Sequence, residues 1–313
     1  MIPVADSGIV SGMTYAVTTE NLTKRYGERA VVENLDLRIP EGSVYGFLGP
    51  NGSGKSTTMK MLLSLIQPTS GEVRILGQSM NRTTRRNLLG NIGSLIESPP
   101  GYAHLTGAEN MRVVQRLLGL ETHQVDHAVG AVRLQNQMGK KVRDYSLGMK
   151  QRLGIAMALA RQPQLLILDE PTNGLDPAGI EEMRTLLRRL AHDGVTVMVS
   201  SHLLGEIDKT ATVLGILSQG RMIFQGSRSE LMAASTPDVV ITCTDPVFAA
   251  QNLISFDARL TDTDEVAVPG LDDRQTAGVV STLVRERIGV YGVRRHEQTL
   301  EDVFMHLTAG GGL

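Results

Sequence analysis

Gly49-Pro50-Asn51-Gly52-Ser53-Gly54-Lys55-Ser56 is the stretch on which the reading of this chain turns. It matches GxxxxGK[ST], and it stands in the context that pattern requires. Before it lies Ser43 to Leu48, an apolar strand-like run. Behind it Met59, Leu62, Leu63 and Ile66 fall at i, i+3, i+4 and i+7, which predicts a helix stopping near Pro68. Glycines let successive N–H groups turn toward one point and form an anion nest, and the helix N-terminus adds a favourable dipole. The predicted ligand is a nucleoside triphosphate with its metal. Lys55 is expected to reach the β- and γ-phosphates, and the Ser56 hydroxyl to ligate Mg²⁺. The bland alternative is a chance glycine-rich turn, which would not come with both strand and helix.

A second anchor stands further along, at Leu165-Leu166-Ile167-Leu168-Asp169-Glu170. An apolar strand here ends in two carboxylates, at the strand end where open α/β sheets bind ligands. Asp169 is expected to hold Mg²⁺ through water, and Glu170 to polarise the attacking water. Alone, the pair could be an acidic surface turn; beside a phosphate loop that reading loses most of its weight.

Between and around these anchors the elements alternate. Tyr15 onward reads as short strands, with Ala30 to Leu37 and Ser43 to Leu48 separated by a Pro40-Glu41-Gly42 turn. Arg85 to about Ala160 reads as mostly helical. Gln164 to Leu168 is a continuous apolar run, as in a central parallel strand. Asp176-Pro177 opens a helix with Ile180, Met183, Leu186, Leu187 and Leu190 on one face and Gly194 past its end. Val195 to Ser200 is another buried strand. Strand, helix, strand, helix, strand argues an α/β sheet. From Gly226 to Leu313 the style shifts to a small, separate α/β domain. Its strands are expected at Val239–Thr242, Glu265–Val268 and Val290–Val293, and its last helix starts with a capping box from Thr299 to Asp302.

Composition narrows the rest. A length of 313 residues allows about two domains. With 41% hydrophobic and 20% charged residues the chain is an ordinary globular sequence. A net charge of −2 offers no basic footprint, so no nucleic acid is expected as a partner. The single cysteine, Cys243, excludes an intrachain disulfide and fits a reducing compartment. No apolar run is long enough to span a bilayer. Residues 1–12 have no signal-peptide pattern and read as a loose tail, with Met13 an alternative start.

A third stretch discriminates among phosphate-loop enzymes. Tyr145-Ser146-Leu147-Gly148-Met149-Lys150-Gln151-Arg152 resembles the signature motif of ABC ATPases, LSGGQ followed by a basic residue and QR. Ser146, Gly148 and Gln151-Arg152 keep the pattern; Leu147 and Met149 depart from it. Gly174-Leu175-Asp176 is similar to the family's D-loop, and Ser200-Ser201-His202 to its switch histidine, which contacts the γ-phosphate. Tyr26, in Lys24-Arg25-Tyr26-Gly27, is similar to the aromatic that stacks on adenine. Ser146 and Asp176 could instead be plain helix caps, and Tyr26 a half-buried strand tyrosine. The resemblance covers roughly Tyr15 to Gly226.

It implies a P-loop ABC ATPase core with an antiparallel β-subdomain and a helical subdomain at about 98–160. The nucleotide would be held by Gly49, Pro50, Asn51, Gly52, Ser53, Gly54, Lys55, Ser56 and Thr57, with Glu170 and His202 catalytic. It further implies a head-to-tail homodimer, or a pair with a close relative, in which Ser146, Gly148 and Asp176 of one copy complete the site of the other. Because the chain has no spanning helix, a separate membrane permease of the ABC-2 class would form the pathway. The ATPase would sit peripherally on the cytoplasmic face of the membrane. A non-transport ABC ATPase, ribosome- or DNA-associated, is the rival reading.

Glu97 marks a subgroup. The family usually carries Gln in the loop entering the helical subdomain, whereas Ile92 to Pro100 places Glu97 there. Glu keeps an oxygen for Mg²⁺ but adds a charge and loses the amide donors. With Leu105-Thr106-Gly107-Ala108-Glu109-Asn110 and the ending Leu300-Glu301-Asp302-Val303-Phe304, the chain resembles ATPases of lantibiotic-immunity, bacitracin-type and related drug exporters. Export of an antibiotic, peptide or drug is what that resemblance implies. The alternative for Glu97 is a surface carboxylate on a proline turn.

Overall fold

The computed structural model describes residues 14–97, 100–207, 209–233, 237–296, 303, 304 and 307. The expected tail at 1–12, Met13 and the capping box at Thr299–Asp302 lie outside them. The chain divides into a first unit running to Arg228 and a second, Ser229–His306.

The first unit opens with β1 (Tyr15–Tyr26), β2 (Arg29–Leu35) and β3 (Arg38–Pro40). The buried β4 (Val44–Leu48) leads into α1 (Lys55–Leu62), followed by β5 (Ser70–Ile75) and β6 (Gln78–Ser79). β2, β1, β5 and β6 form an antiparallel sheet in that order, with β3 also paired to β1. Then come α2 (Arg85–Leu88), β7 (Ile92–Leu95), α3 (Gly107–Leu118), α4 (Thr122–Ala131) and α5 (Leu147–Leu159). The unit continues with β8 (Leu165–Leu168), α6 (Pro177–His192), β9 (Thr196–Ser201), α7 (Leu204–Ile207), β10 (Val213–Ser218) and β11 (Arg221–Gly226).

A second sheet runs β11-β10-β4-β9-β8-β7, parallel except for β11 at its edge. Every residue of β4, β8 and β9 is buried, which is why β4, β8 and the Val197-Met198-Val199 stretch of β9 read as apolar runs. Leu22, Leu35 and Ile75 of the antiparallel sheet share one core with Phe47, Ile167 and Met198 of the parallel sheet and with Met59 and Leu62 of α1. The phosphate loop therefore leaves a strand buried on both faces, and its first helix is clamped between two sheets.

Two local expectations need correction. α1 ends at Leu62, before Pro68. Ser64 turns to φ 55°, and the bonds Ser64 N–H to Met61 O and Leu65 N–H to Lys60 O close a Schellman motif. Ile66 still packs on the core, but from beyond the helix. The mostly helical reading of Arg85 to Ala160 missed β7. Four residues are too few for periodicity to choose between helix and strand. Gly93 is the physical reason this strand can lie there: a Cβ would come within 2.5 Å of the Ala158 carbonyl oxygen of α5.

α8 (Arg228–Ala233) precedes an antiparallel sheet ordered β13-β14-β12-β15. It comprises β12 (Asp238–Cys243), β13 (Arg259–Leu260), β14 (Val266–Pro269) and β15 (Val290–His296). Two helices carry Asp N-caps, α9 (Pro246–Asn252) on Asp245 and α10 (Asp273–Arg285) on Asp272. Val239, Ile241, Val266, Val268, Val279 and Leu283 belong to this unit's own core.

Candidate active site

The parallel sheet gathers the predicted residues by strand adjacency. β4 ends at the phosphate loop, its neighbour β9 ends at His202, and the next strand, β8, ends at Asp169 and Glu170. All run parallel, so these segments emerge at one edge.

The loop's glycines are there for space as well as for turning. A Cβ on Gly49 would come within 2.3 Å of the Leu217 carbonyl oxygen. One on Gly54 would come within 2.7 Å of the Val31 carbonyl oxygen, and Gly54 sits at φ 106°, closed to most other residues. A bond from Gly220 N–H to the Ser53 carbonyl ties the loop to the β10–β11 turn. Asn51 and Gly52 are exposed. The first helical bond is Thr58 N–H to Gly54 O, so the N–H groups of Lys55, Ser56 and Thr57 have no acceptor one turn back. Ser53 Oγ is buried without a hydrogen-bond partner among the described residues. A loop with free donors, and a lysine folded into it, fits a polyphosphate.

Lys55 is 5% exposed. Its Nζ donates to Gly49 O at 2.6 Å and Pro50 O at 3.3 Å, and lies 3.8 Å from Glu170 Oε1. Burial pushes its pKa down; the nearby Glu170 and Asp169 carboxylates oppose this. The ammonium thus bridges the phosphate loop and the acidic strand end.

Glu170 has φ 47°, a left-handed conformation uncommon for a residue with a Cβ. Its Oε2 lies 2.8 Å from His202 Nδ1. An ionised carboxylate only accepts, so in that contact Nδ1 is the donor. Asp169 is buried and accepts from Ser200 Oγ at 2.6 Å, while Ser200 Oγ accepts the Glu170 N–H at 2.9 Å. Ser200 was legible as part of Ser200-Ser201-His202, but no role attached to it. Its signal was a hydroxyl directly after the apolar run Val197-Met198-Val199.

Glu97 follows β7, whose Leu95 carbonyl accepts the Asp169 N–H at 2.8 Å. Its carboxylate, 67% exposed, takes a 2.6 Å hydrogen bond from Lys60 of α1. That bond holds Glu97 below the usual carboxylate range and raises Lys60. Lys60 was not anticipated from the sequence. Tyr26 ends β1, is 54% exposed, and has Lys24 Nζ 4.9 Å from its ring centre.

Ser146, Gly148 and Asp176 lie elsewhere on the first unit. Ser146 caps α5, accepting from Met149 N–H at 3.3 Å, and Asp176 caps α6, accepting from Gly179 N–H at 3.0 Å. With Leu147, Gly174 and Leu175 they line one groove, to which no residue of the phosphate loop contributes. Leu147, one of the departures from the signature, lies over Gly174: a Cβ there would meet it at 2.9 Å.

Comparison with known proteins accords with this geometry. The family model described as ABC transporter matches residues 32–173. The "Bacitracin transport ATP-binding protein BcrA" of Enterococcus faecalis is 40% identical over 306 residues, covering 96% of this chain and 99% of its own length. The "Lantibiotic transport ATP-binding protein SrtF" of Streptococcus pyogenes is 44% identical over 206 residues, 66% of this chain and 88% of its own. Among solved structures, cbiO1 from Clostridium perfringens, described as part of an ABC transporter complex, superposes with a TM-score of 0.65 at 26% identity. It covers 70% of this chain and 91% of its own. The bacitracin-transport relative thus covers nearly the whole chain, the structural neighbour 70% of it. On these similarities and this site, the chain belongs to the ABC transporter ATP-binding proteins and is an ATPase that serves transport.

Proposed function

We propose that the chain hydrolyses Mg·ATP at a site shared between two copies and so drives a separate membrane subunit that exports an antibiotic, peptide or drug. The observation that carries the reading is the split between two sets of residues. Lys55, Asp169, Glu170 and His202 converge at one sheet edge, while Ser146, Gly148 and Asp176 line a groove of their own. One copy therefore holds half of what the family's site needs, twice over.

In this reading the loop from Gly49 to Thr57 cradles the phosphates, Lys55 neutralises the β- and γ-oxygens, and Tyr26 stacks on the adenine. Glu170 accepts a proton from the attacking water, and His202 holds that carboxylate while offering Nε2 toward the γ-phosphate. The Ser146 hydroxyl and the free N–H groups opening α5 of a second copy, placed head to tail, meet the γ-phosphate from the other side.

The metal fits the residues present. The Asp169 carboxylate favours the charged forms of Lys55 and Lys60, both on α1, the helix that also carries Ser56. Among the described residues no cluster of three or more His, Cys, Asp or Glu could hold a metal unaided. Mg²⁺ characteristically takes one or two carboxylates plus substrate phosphates, and Ser56, Asp169 and Glu97 are the protein's candidates. Bound there, it would offset phosphate charge.

No helix among the described residues is long and apolar enough to cross a membrane. A transport role then calls for a partner that does, of the ABC-2 class, with this chain docked at the cytoplasmic face. The bacitracin- and lantibiotic-transport relatives favour an antibiotic or peptide as cargo. The test is affinity purification from membranes of the native host, followed by ATPase assay of the complex. Co-purification with a multi-spanning membrane protein that stimulates ATP hydrolysis supports the reading. Co-purification with ribosomes or DNA instead overturns it.

A further inference from the structure

We propose that Ser200 is a positioning residue of the ATPase site, whose hydroxyl holds the Asp169 carboxylate and the Glu170 backbone in a single arrangement. The inference rests on the catalytic reading of Glu170 and Asp169 above and adds to it a residue without which neither would be aimed.

Ser200 is fully buried near the end of β9. A serine hydroxyl has one hydrogen and two lone pairs. Here the hydrogen goes to Asp169 Oδ1 at 2.6 Å, and a lone pair takes the Glu170 N–H at 2.9 Å. Donation to a carboxylate polarises the hydroxyl and strengthens it as an acceptor, so the two bonds support each other. Both arrive at the point where β8 ends and Glu170 turns to φ 47°. A left-handed residue with a Cβ persists only where its surroundings enforce it. The Ser200 hydroxyl is the side-chain partner of that residue's N–H.

The residue just beyond β9 adds a second grip. Ser200, near the end of β9, and His202, just past it, both reach the end of β8. Ser200 takes the Glu170 main chain and His202 takes its carboxylate at 2.8 Å. Between them, Ser201 accepts the Leu203 N–H at 3.0 Å, which steadies the turn carrying His202. β9 and the turn after it therefore hold Glu170 at both its main chain and its carboxylate. The neighbours before Ser200 in the strand, Val197, Met198 and Val199, are buried and apolar, so the hydroxyl is an exception with a use.

The test compares Ser200→Ala and Ser200→Cys with the wild type and with Glu170→Gln. The Cys variant keeps nearly the same shape with a much weaker hydrogen bonder. Four quantities are measured: melting temperature, ATP affinity in EDTA, the gain in ATP affinity on adding Mg²⁺, and steady-state ATPase kinetics. Both Ser200 variants are expected to melt as folded proteins and to bind ATP in EDTA within about twofold of wild type. The Mg²⁺-dependent gain in affinity and kcat should fall by roughly 10–100-fold, the range typical when a group orienting a metal ligand is lost. Should the Ala variant not fold, the Cys variant decides alone. Wild-type kcat and Mg²⁺ gain in a folded Ser200 variant overturns the proposal, as does a loss of kcat matched by an equal loss of metal-free ATP affinity. If Glu170→Gln keeps wild-type turnover, the underlying assignment of the site fails instead.

Discussion

His202 Nδ1 lies 2.8 Å from Glu170 Oε2, and the other oxygen of the same carboxylate lies 3.8 Å from Lys55 Nζ. Glu170 is thus shared between the histidine after β9 and the lysine of the phosphate loop. On the proposed reading, a bound triphosphate would give Lys55 new anionic partners and free the Glu170 carboxylate to face water. Glu170→Gln keeps the shape and removes the base. ATP binding should persist while kcat falls about 10²–10⁴-fold, and the ATP-bound protein should elute as a dimer on gel filtration. Turnover at the wild-type rate would remove Glu170 from catalysis.

A site completed by a second copy predicts complementation. Lys55→Ala should abolish nucleotide binding in its own loop. Ser146→Arg should block hydrolysis while leaving ATP binding by the single chain nearly intact, because Ser146 lies in the separate groove with Asp176. Mixing the two variants makes some dimers with one doubly damaged site and one whole site. Partial recovery of ATPase activity in the mixture is the expected result. Normal hydrolysis by Ser146→Arg alone would show that the groove completes nothing.

The helix after the Glu97 loop carries its own stability signature. Thr106 caps α3 by accepting the Glu109 N–H, and the Glu109 carboxylate takes the Thr106 N–H at 2.7 Å in return. Thr106→Ala should cost about 1 kcal/mol by denaturant titration. The bonds from the Thr106 backbone and hydroxyl hold the Glu109 carboxyl below its ordinary value of 4.5. A group depressed in the folded state stabilises at pH above its unfolded value and loses that contribution as pH falls through the lowered one. The difference in stability between wild type and Glu109→Gln should therefore be present at neutral pH and shrink in acid. An unchanged difference from pH 7 to pH 3 would count against this capping arrangement.

Much of this was legible in the sequence because its signals were local. The phosphate loop lies within eight consecutive residues, the acidic strand announces itself by Leu165 to Leu168, and Asp176-Pro177 marks the start of α6. What stayed hidden depends on chain segments far apart. β7 is a strand because Gly93 lets α5 and β8 close on it, a fact about Ala158 and Leu166 rather than about residues 92–95. Lys60 reads as an exposed position on a helix until Glu97, 37 residues away, is seen to reach it. Ser200 reads as the end of a strand until its hydroxyl meets the acidic pair of β8. Cross-strand hydrogen bonds of this kind leave no periodicity behind.

The last prediction concerns Glu97. Its sequence position argued for an oxygen ligand at the edge of the metal site; in the structure Lys60 holds that oxygen at 2.6 Å, and Glu97 sits at φ 69°. An ion pair this exposed stabilises a fold little. On the proposed reading the role of Glu97 lies in what its carboxylate does when nucleotide is present. α1 carries both Ser56 and Lys60, one turn apart, and Asp169 acts on Lys60 as well as on Lys55. On that reading Glu97, with its carboxylate 67% exposed, would exchange the Lys60 ammonium for Mg²⁺ when Mg·ATP binds. Glu97→Gln keeps an oxygen and should retain much ATPase activity with an altered Mg²⁺ dependence. Glu97→Ala removes the oxygen and should impair hydrolysis or its stimulation by the membrane subunit, with the melting temperature unchanged. Lys60→Ala leaves Glu97 without its competitor and should lower the Mg²⁺ concentration needed for half-maximal rate. The measurement is ATPase rate against Mg²⁺ for the three variants, with and without the membrane subunit. If Glu97→Ala follows the wild-type curve throughout, Glu97 is only the surface partner of Lys60.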